Sequence, residues 1–301
     1  MEQAGRPQID AALARDLVAA QFPQWADLPV RPVAHGGWDN RAFHLGEGMI
    51  VRLPSAQHYA AQAAKEQAWL ARLAPHLPLE IPCPLGLGRP GPGFDRPWSI
   101  LRWIPGETAD RAADPSDAGL GRALGAFLAA LQAIDASDGP APGPHNFFRG
   151  GPLATYDEEV REALRRRADR SDAVAAERVW NAALGAEWSG PPVWVHGDVA
   201  PRNLLMRDGG LAAVIDFGGL GVGDPACDLA IAWSFLRGAG RSGFRAALPL
   251  DPGAWARGRG WALWKALILA TGVARGPAAD VEDAERVLGE VLAEPQASDQ
   301  P

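Results

Sequence analysis

At 301 residues, with 47% apolar and 22% charged side chains, the chain has room for two modest lobes or one large α/β domain, and its composition excludes a disordered polymer. A net charge of −7 argues against general nucleic-acid binding, which needs a basic surface to displace counterions from phosphates, and weakly favours a cationic ligand. With no apolar run near the roughly 18 residues of a membrane span and no signal-peptide pattern over Met1 to Pro23, a cytoplasmic location is expected, with neither membrane, nucleic acid nor obligate protein partner.

Ala11 to Ala20 reads as a leading helix, and Val30 to Pro54 as short antiparallel strands broken by Gly36-Gly37 and Gly46-Glu47-Gly48. Met49 to Leu53 is a strand ended by Pro54, and Gln57 to Leu73, poor in breakers, is a helix. Pro82 to Pro97, rich in Pro and Gly, reads as turns and a strand edge. Cys83 and Cys227 have no Cys or His at zinc-ligand spacing, so both are expected as buried thiols. Trp98 to Ile104 is a buried strand, ended by Pro105-Gly106, where the lobe boundary is placed.

Beyond it, Leu120, Leu124, Phe127, Leu128, Leu131 and Ile134 recur at helical spacing. Asp138 to Pro152 is expected to be an exposed connection, followed by helices near Asp157 to Arg167 and Asp172 to Leu184. Short strands at Val193 to Val195 and Leu211 to Ile215 precede helices at Asp228 to Leu236, Trp255 to Thr271 and Val281 to Leu292. The late tryptophans, Trp180, Trp188, Trp233, Trp255, Trp261 and Trp264, read as core rather than as ligand-stacking faces. Glu158, Glu159, Glu162, Asp169 and Asp172 read as a solvated helix face rather than a cationic pocket.

The chemistry concentrates between the two short strands. His196-Gly197-Asp198-Val199-Ala200-Pro201-Arg202-Asn203 puts a carboxylate and an amide on one loop, and Ile215-Asp216-Phe217-Gly218 follows. Phosphoryl transfer needs an acceptor for the incoming hydroxyl proton and separate oxygen ligands for the Mg²⁺ that neutralises a triphosphate, a set that Asp198, Asn203 and Asp216 supply. These motifs, with Gly223-Asp224-Pro225-Ala226-Cys227-Asp228-Leu229-Ala230, resemble the aminoglycoside phosphotransferase and choline kinase branch of the protein-kinase-like superfamily, where Gly197 stands in place of the Arg of H-R-D. The short step from Gly218 to Gly223 leaves no room for an activation loop, so regulation by its phosphorylation is not expected.

The resemblance implies an α+β, protein-kinase-like two-lobed fold. A small β-sheet lobe with a helix packed on it (residues 1–104) would bind nucleotide, and a larger, mainly helical lobe (residues 105–301) would carry the catalytic loop and the acceptor site. ATP or GTP would be the donor, Mg²⁺ the cofactor, and a hydroxyl-bearing small molecule the acceptor. Asp198 would be the base, Asn203 and Asp216 the metal ligands, and His196 and Asp228 braces for the catalytic loop. Gly36 and Gly37 would cover the nucleotide. Arg52, in the place of the usual Lys, and Glu66 would hold its phosphates; the backbone of Arg102 and Ile104 would read the purine edge, and Leu205 and Ile215 would pack on the ring. Lys65, one of only two lysines, competes with Arg52 for the phosphate role but is expected to point elsewhere, since adjacent residues do not share a helical face. An aminoglycoside or macrolide is the first acceptor class and an amino alcohol or sugar the second; a pseudokinase-like nucleotide-binding protein is the rival from another class.

Overall fold

The computed structural model describes residues 9–34 and 39–294. Internal contacts divide the chain into two units, one running to Gly106 and taking in Ala213–Gly218, the other comprising Glu107–Ala212 and the chain from Gly219 onward. The chain-order reading placed Asp216 with the helical lobe. Its segment is instead tied to the first unit, where Val214 N–H donates to the Glu80 carbonyl at 3.0 Å and Ala213 bridges Glu80 in parallel.

In the first unit, α1 (Ala11–Gln21) starts where the Asp10 carboxylate accepts the Leu13 N–H at 2.9 Å, the usual satisfaction of an otherwise orphaned first-turn donor. Strands β1 (Val30–Pro32), β2 (Asn40–Leu45), β3 (Met49–Pro54), β4 (Pro84–Gly88) and β5 (Trp98–Arg102) form one antiparallel sheet in the order β1-β2-β3-β5-β4. β4 is an edge strand, as its Pro and Gly content requires. Ala14, Leu17 and Val18 of α1 are buried with Val30, Phe43, Leu45, Val51, Leu53, Phe94, Trp98 and Ile100. Helix α2 (Ala60–Leu73) packs on β4 and β5. Register places Arg52 between Ala42 on β2 and Ser99 on β5, so its backbone lies inside the sheet and not at an edge.

The second unit holds β6 (Glu107–Thr108), α3 (Ala109–Ala112), α4 (Ala118–Gln132), α5 (Asp157–Arg166), α6 (Ala173–Gly185), β7 (Val193–Val195), β8 (Leu204–Arg207), β9 (Gly210–Val214), whose last two residues belong to the first unit, and β10 (Gly221–Gly223). Then follow α7 (Ile231–Ser234), α8 (Gly238–Ala247), α9 (Pro252–Ala270) and α10 (Ala278–Ala293). β7 pairs antiparallel with β10, and β6, β8 and β9 make a second small sheet. Helix α9 is buried on nearly every face from Ala254 to Leu269, which marks it as the central helix against which α5, α6 and α10 pack.

Helix α8 has no sequence-level counterpart, because Gly238-Ala239-Gly240-Arg241-Ser242-Gly243 offers weak helix formers. It forms because α4 presents small residues to it. A Cβ on Gly121 would lie 1.9 Å from the Gly240 carbonyl oxygen, so only glycine allows these backbones to approach. Gly121→Ala is therefore expected to destabilise by about 1–3 kcal/mol through overpacking, despite alanine's better helix propensity. Gly289→Ala on α10, where a Cβ meets nothing within 4 Å, should be neutral or stabilising when both variants are unfolded in urea.

Two further expectations change with the tertiary structure. Asp138 to Pro152 is not an exposed connection: Asn146 is 0% exposed, its side-chain oxygen accepts the Gly143 N–H, and the Val222 N–H bonds to the Pro140 carbonyl. The stretch is irregular yet packed, because side-chain and strand partners satisfy its backbone. Cys227 is buried, whereas Cys83 is only half-buried at the start of the edge strand. Trp180, Trp233, Trp261 and Trp264 are core, as expected, with Trp188 and Trp255 half-buried.

Helix α10 buries Ala284, Val287, Leu288 and Val291, and ion pairs flank that apolar face. Arg167 reaches Asp172 at 2.8 Å and Glu285 at 2.7 Å, Arg241 reaches Glu290 at 2.6 Å, and Arg245 reaches Glu294 at 2.7 Å. Hydrogen bonds from Arg167 hold the Asp172 and Glu285 carboxyls below their ordinary values of 3.8 and 4.5. Depressed carboxylates contribute stability above the ordinary range and lose it as pH falls through their folded values. The melting temperature, followed by circular dichroism, should therefore hold down to about pH 5 and decline slightly toward about pH 3, because solvent screens the half-exposed Glu285 carboxylate. Glu285→Gln should flatten part of that fall.

Candidate active site

The second unit carries the catalytic-loop motif. β7 delivers the chain to His196, and the buried Asp228 carboxylate accepts the His196 and Gly197 N–H groups, each at 2.8 Å. Burial pushes the Asp228 carboxyl above its ordinary value, which His196 and the two N–H donors partly offset. Gly197 sits at φ +84° with its Cα against the Gly219 backbone, where a Cβ would lie 2.2 Å from the Gly219 oxygen, so the glycine of the motif is a steric requirement. The His196 ring accepts the Asp198 N–H at 3.2 Å, and Arg149 donates to the Gly197 carbonyl at 2.9 Å. The loop backbone is thus gripped at three successive residues, while the Asp198 side chain remains exposed.

Asn203 ends a short turn at Pro201–Asn203 and donates through Nδ2 to the Asp198 carbonyl at 2.9 Å and to Asp198 Oδ2 at 3.1 Å. That orientation takes up the amide nitrogen, so any ligand the side chain accepts would meet the amide oxygen. Between them, Arg202 pairs with Asp280 on α10, which Lys265 also reaches at 3.1 Å. Leu205 is buried in β8 opposite Thr108.

The first unit holds the other motif residues. Arg52 donates through Nη1 to both Glu66 oxygens, at 2.8 and 2.9 Å, and through Nη2 to Asp216 Oδ1 at 2.8 Å. Burial works against the Arg52 charge, but the two carboxylates and the hydrogen bonds to them outweigh it and keep the guanidinium protonated. Asp216 takes φ +65°, uncommon for a residue with a side chain, and its carboxylate is 31% exposed. A partly exposed carboxylate oxygen of this kind suits Mg²⁺ better than a softer metal. Among the described residues no three His, Cys, Asp or Glu side chains gather into a metal cage, but an ion carried on phosphates needs only one or two protein oxygens.

Lys65 departs from the expectation. Its Nζ donates to the Gly218 carbonyl at 2.6 Å, so it points into the motif and not away from it. Burial pushes its ammonium down to about 8, with Glu66 and Asp216 pulling it back. The sequence did carry the signal: Gln62, Lys65 and Glu66 stand at i, i+3 and i+4, one face of α2, and adjacency to Glu66 obscured it. Gln62 also donates to Asp39 at 3.1 Å. Arg149, whose guanidinium lies 4.9 and 5.0 Å from the Trp261 and Trp264 ring centres, had no such signal, since it sits in an irregular stretch.

Of the expected purine-reading backbone, the Arg102 N–H is already bonded to the Cys83 carbonyl at 2.8 Å, because β4 closes on that side of β5. Ile104 is buried just after the strand. Ile215 is half-buried in the first unit. Gly36 and Gly37 lie outside the described residues. Of the acidic residues on and after α5, Glu162 pairs with Arg165 and Arg166 at 2.7 Å, and Glu159 accepts the Trp264 indole N–H at 2.8 Å. These pairings, with Asp172 on Arg167, fit a solvated, paired face rather than a cationic pocket.

The family model of the Phosphotransferase enzyme family matches residues 30–263. An aminoglycoside 3'-phosphotransferase from Escherichia coli is 30% identical over 149 residues, which cover 47% of this chain and 54% of that protein. The chain therefore matches about half the length of that curated relative. Among solved structures, the GDP complex of wild-type aminoglycoside 2'-phosphotransferase-IIIa superposes with a TM-score of 0.70 at 17% identity, covering 94% of this chain and 99% of that one. A macrolide 2'-phosphotransferase from Brachybacterium faecium gives 0.59 at 23% identity, covering 95% and 99%. These likenesses establish the fold: an antiparallel sheet unit followed by a helical remainder, as in the kinase-like phosphotransferases.

Proposed function

Because the chain belongs to the Phosphotransferase enzyme family, we propose that it transfers the γ-phosphoryl group of ATP or GTP to a hydroxyl of a small acceptor, with Asp198 as base. The observation that carries this reading is the catalytic loop: an exposed carboxylate whose own N–H, neighbouring backbone and Asn203 partner are all fixed by hydrogen bonds. A base held this way is pre-organised, so little reorganisation is needed when the acceptor arrives.

In the reaction, the acceptor oxygen attacks the γ-phosphorus in line, the bond to the β–γ bridging oxygen breaks, and the acceptor proton passes to Asp198. No phosphoenzyme forms. A magnesium ion carried with the triphosphate supplies charge neutralisation at the phosphate oxygens, and Asn203 and Asp216 are the residues that would hold it. Arg52, kept charged by Glu66 and Asp216, would meet the donor phosphates, with Gly36 and Gly37 covering them. Arg102 and Ile104 would border the base, and Leu205 and Ile215 would lie against its ring. The relatives named aminoglycoside and macrolide phosphotransferases support a hydroxyl-rich antibiotic as the acceptor class.

The test is nucleotide consumption with ATP and with GTP, in Mg²⁺, across aminoglycosides, macrolides, choline and small sugars. Turnover that depends on one of these acceptors supports the reading and names the class. Nucleotide binding without turnover on any of them points to a binding protein.

A further inference from the structure

Lys65 has no role in the site as the sequence presents it, yet the structure brings it to the segment that would hold the metal. Three side chains of one α2 face converge there. Glu66 acts on Asp216 through Arg52, Lys65 donates to the Gly218 carbonyl at 2.6 Å, and Gln62 lies against Gly218 while bonded to Asp39.

Asp216 needs such holding. A side chain at φ +65° is disfavoured, less for Asp than for most residues, and the surrounding contacts decide whether the turn is held in one geometry. Arg52 restrains the side chain through one oxygen, Oδ1, but not the backbone that follows. Lys65 restrains that backbone two residues on, at Gly218, the most permissive position of the segment. Charge also fits. The carboxylates of Glu66 and Asp216 are matched by the two cations, Arg52 and Lys65, so the buried cluster is balanced before any ligand arrives.

We propose that Lys65 is a positioning residue for phosphoryl transfer, holding Asp216–Phe217–Gly218 in the turn that aims the Asp216 carboxylate at Mg²⁺, rather than touching phosphate itself. The proposal rests on the phosphotransferase reading and adds to it a residue on the helix beside the Arg52–Glu66 pair. Arg52 remains the phosphate-facing cation, and Lys65 acts on the metal through Gly218 and Asp216.

The experiment compares wild type, Lys65→Met, Lys65→Gln and Lys65→Arg by tryptophan fluorescence titration with ADP in EDTA, then with ADP at rising Mg²⁺, without acceptor or turnover. Loss of the ammonium in Lys65→Met should leave metal-free ADP affinity within about twofold and raise the Mg²⁺ needed for half-maximal tightening about tenfold, the loss of one charge-assisted hydrogen bond. Lys65→Arg, which keeps a cationic donor, should recover part of it. Where Lys65→Met does not melt cooperatively, Lys65→Gln, a neutral donor, carries the comparison and should show the same direction. Metal-free ADP affinity falling as far as the Mg²⁺-dependent affinity would place Lys65 on the phosphates and overturn the proposal. An unchanged Mg²⁺ requirement would overturn it as well. Should wild type bind no nucleotide at all, the phosphotransferase reading itself fails, an outcome distinct from either.

Discussion

Replacing Asp198 by alanine should lower acceptor-dependent turnover by roughly 100- to 10,000-fold, the range expected when a positioned base is removed, while Mg-nucleotide binding stays near wild type. The separation follows from geometry. Asp198 contributes an exposed carboxylate, whereas the loop backbone is held by Asp228, His196 and Arg149, none of which depends on the Asp198 side chain. The variant keeps its fold because the Asn203 Nδ2 loses only one of two acceptors, the Asp198 carbonyl remaining at 2.9 Å. Asp198→Asn should be as inactive as alanine, since an amide preserves the shape but takes up no proton at neutral pH. Full turnover in either variant, measured with the acceptor found in the panel, would remove Asp198 from the role of base.

Arg52→Met should be strongly destabilising, costing about 3–5 kcal/mol in denaturant unfolding, because it strands the Glu66 carboxylate in the core. Glu66 is 1% exposed, and Arg52 is the donor to both of its oxygens. The size of that loss comes from the uncompensated charge rather than from the worth of the pair. The double variant Arg52→Met with Glu66→Leu should therefore recover most of the stability, since a buried ion pair replaced by apolar side chains of similar volume is often neutral. Nucleotide affinity should not return with it. A double variant that folds well yet binds nucleotide as wild type does would separate Arg52 from the phosphates and leave it a structural residue. Arg52→Lys should fall between: it retains the charge, but one ammonium does not reproduce a guanidinium that spans Glu66 and Asp216 at once.

The long periodic elements were legible in the chain. Helix α4 announces itself through Leu120, Leu124, Phe127, Leu128 and Leu131, all buried, and β5 through the apolar run from Trp98. Helix α8 was not legible, because its glycines are poor helix formers until α4 offers a surface that only glycines can approach. The irregular stretch around Asn146 and Arg149 was read as exposed for a similar reason: composition shows the absence of periodicity, not the partners that satisfy a backbone without it.

The candidate site divides along the same line. Asp198, Asn203, Asp216 and the Gly197 of the motif were legible in the sequence as candidates, because a carboxylate, an amide and a second carboxylate in that order match what phosphoryl transfer asks for and the resemblance proposes a role for each. What only tertiary structure decided is who holds whom. Asp216 meets Arg52 across 164 residues of chain and Arg149 meets Gly197 across 48, while Lys65 turns to Gly218 across 153. Local periodicity is silent on such pairs. The Arg52 and Lys65 contacts form because packing the sheet and α2 against Ala213–Gly218 buries charges that must then be matched, whereas Arg149 reaches Gly197 within the second unit, where an irregular stretch packs beside the catalytic loop.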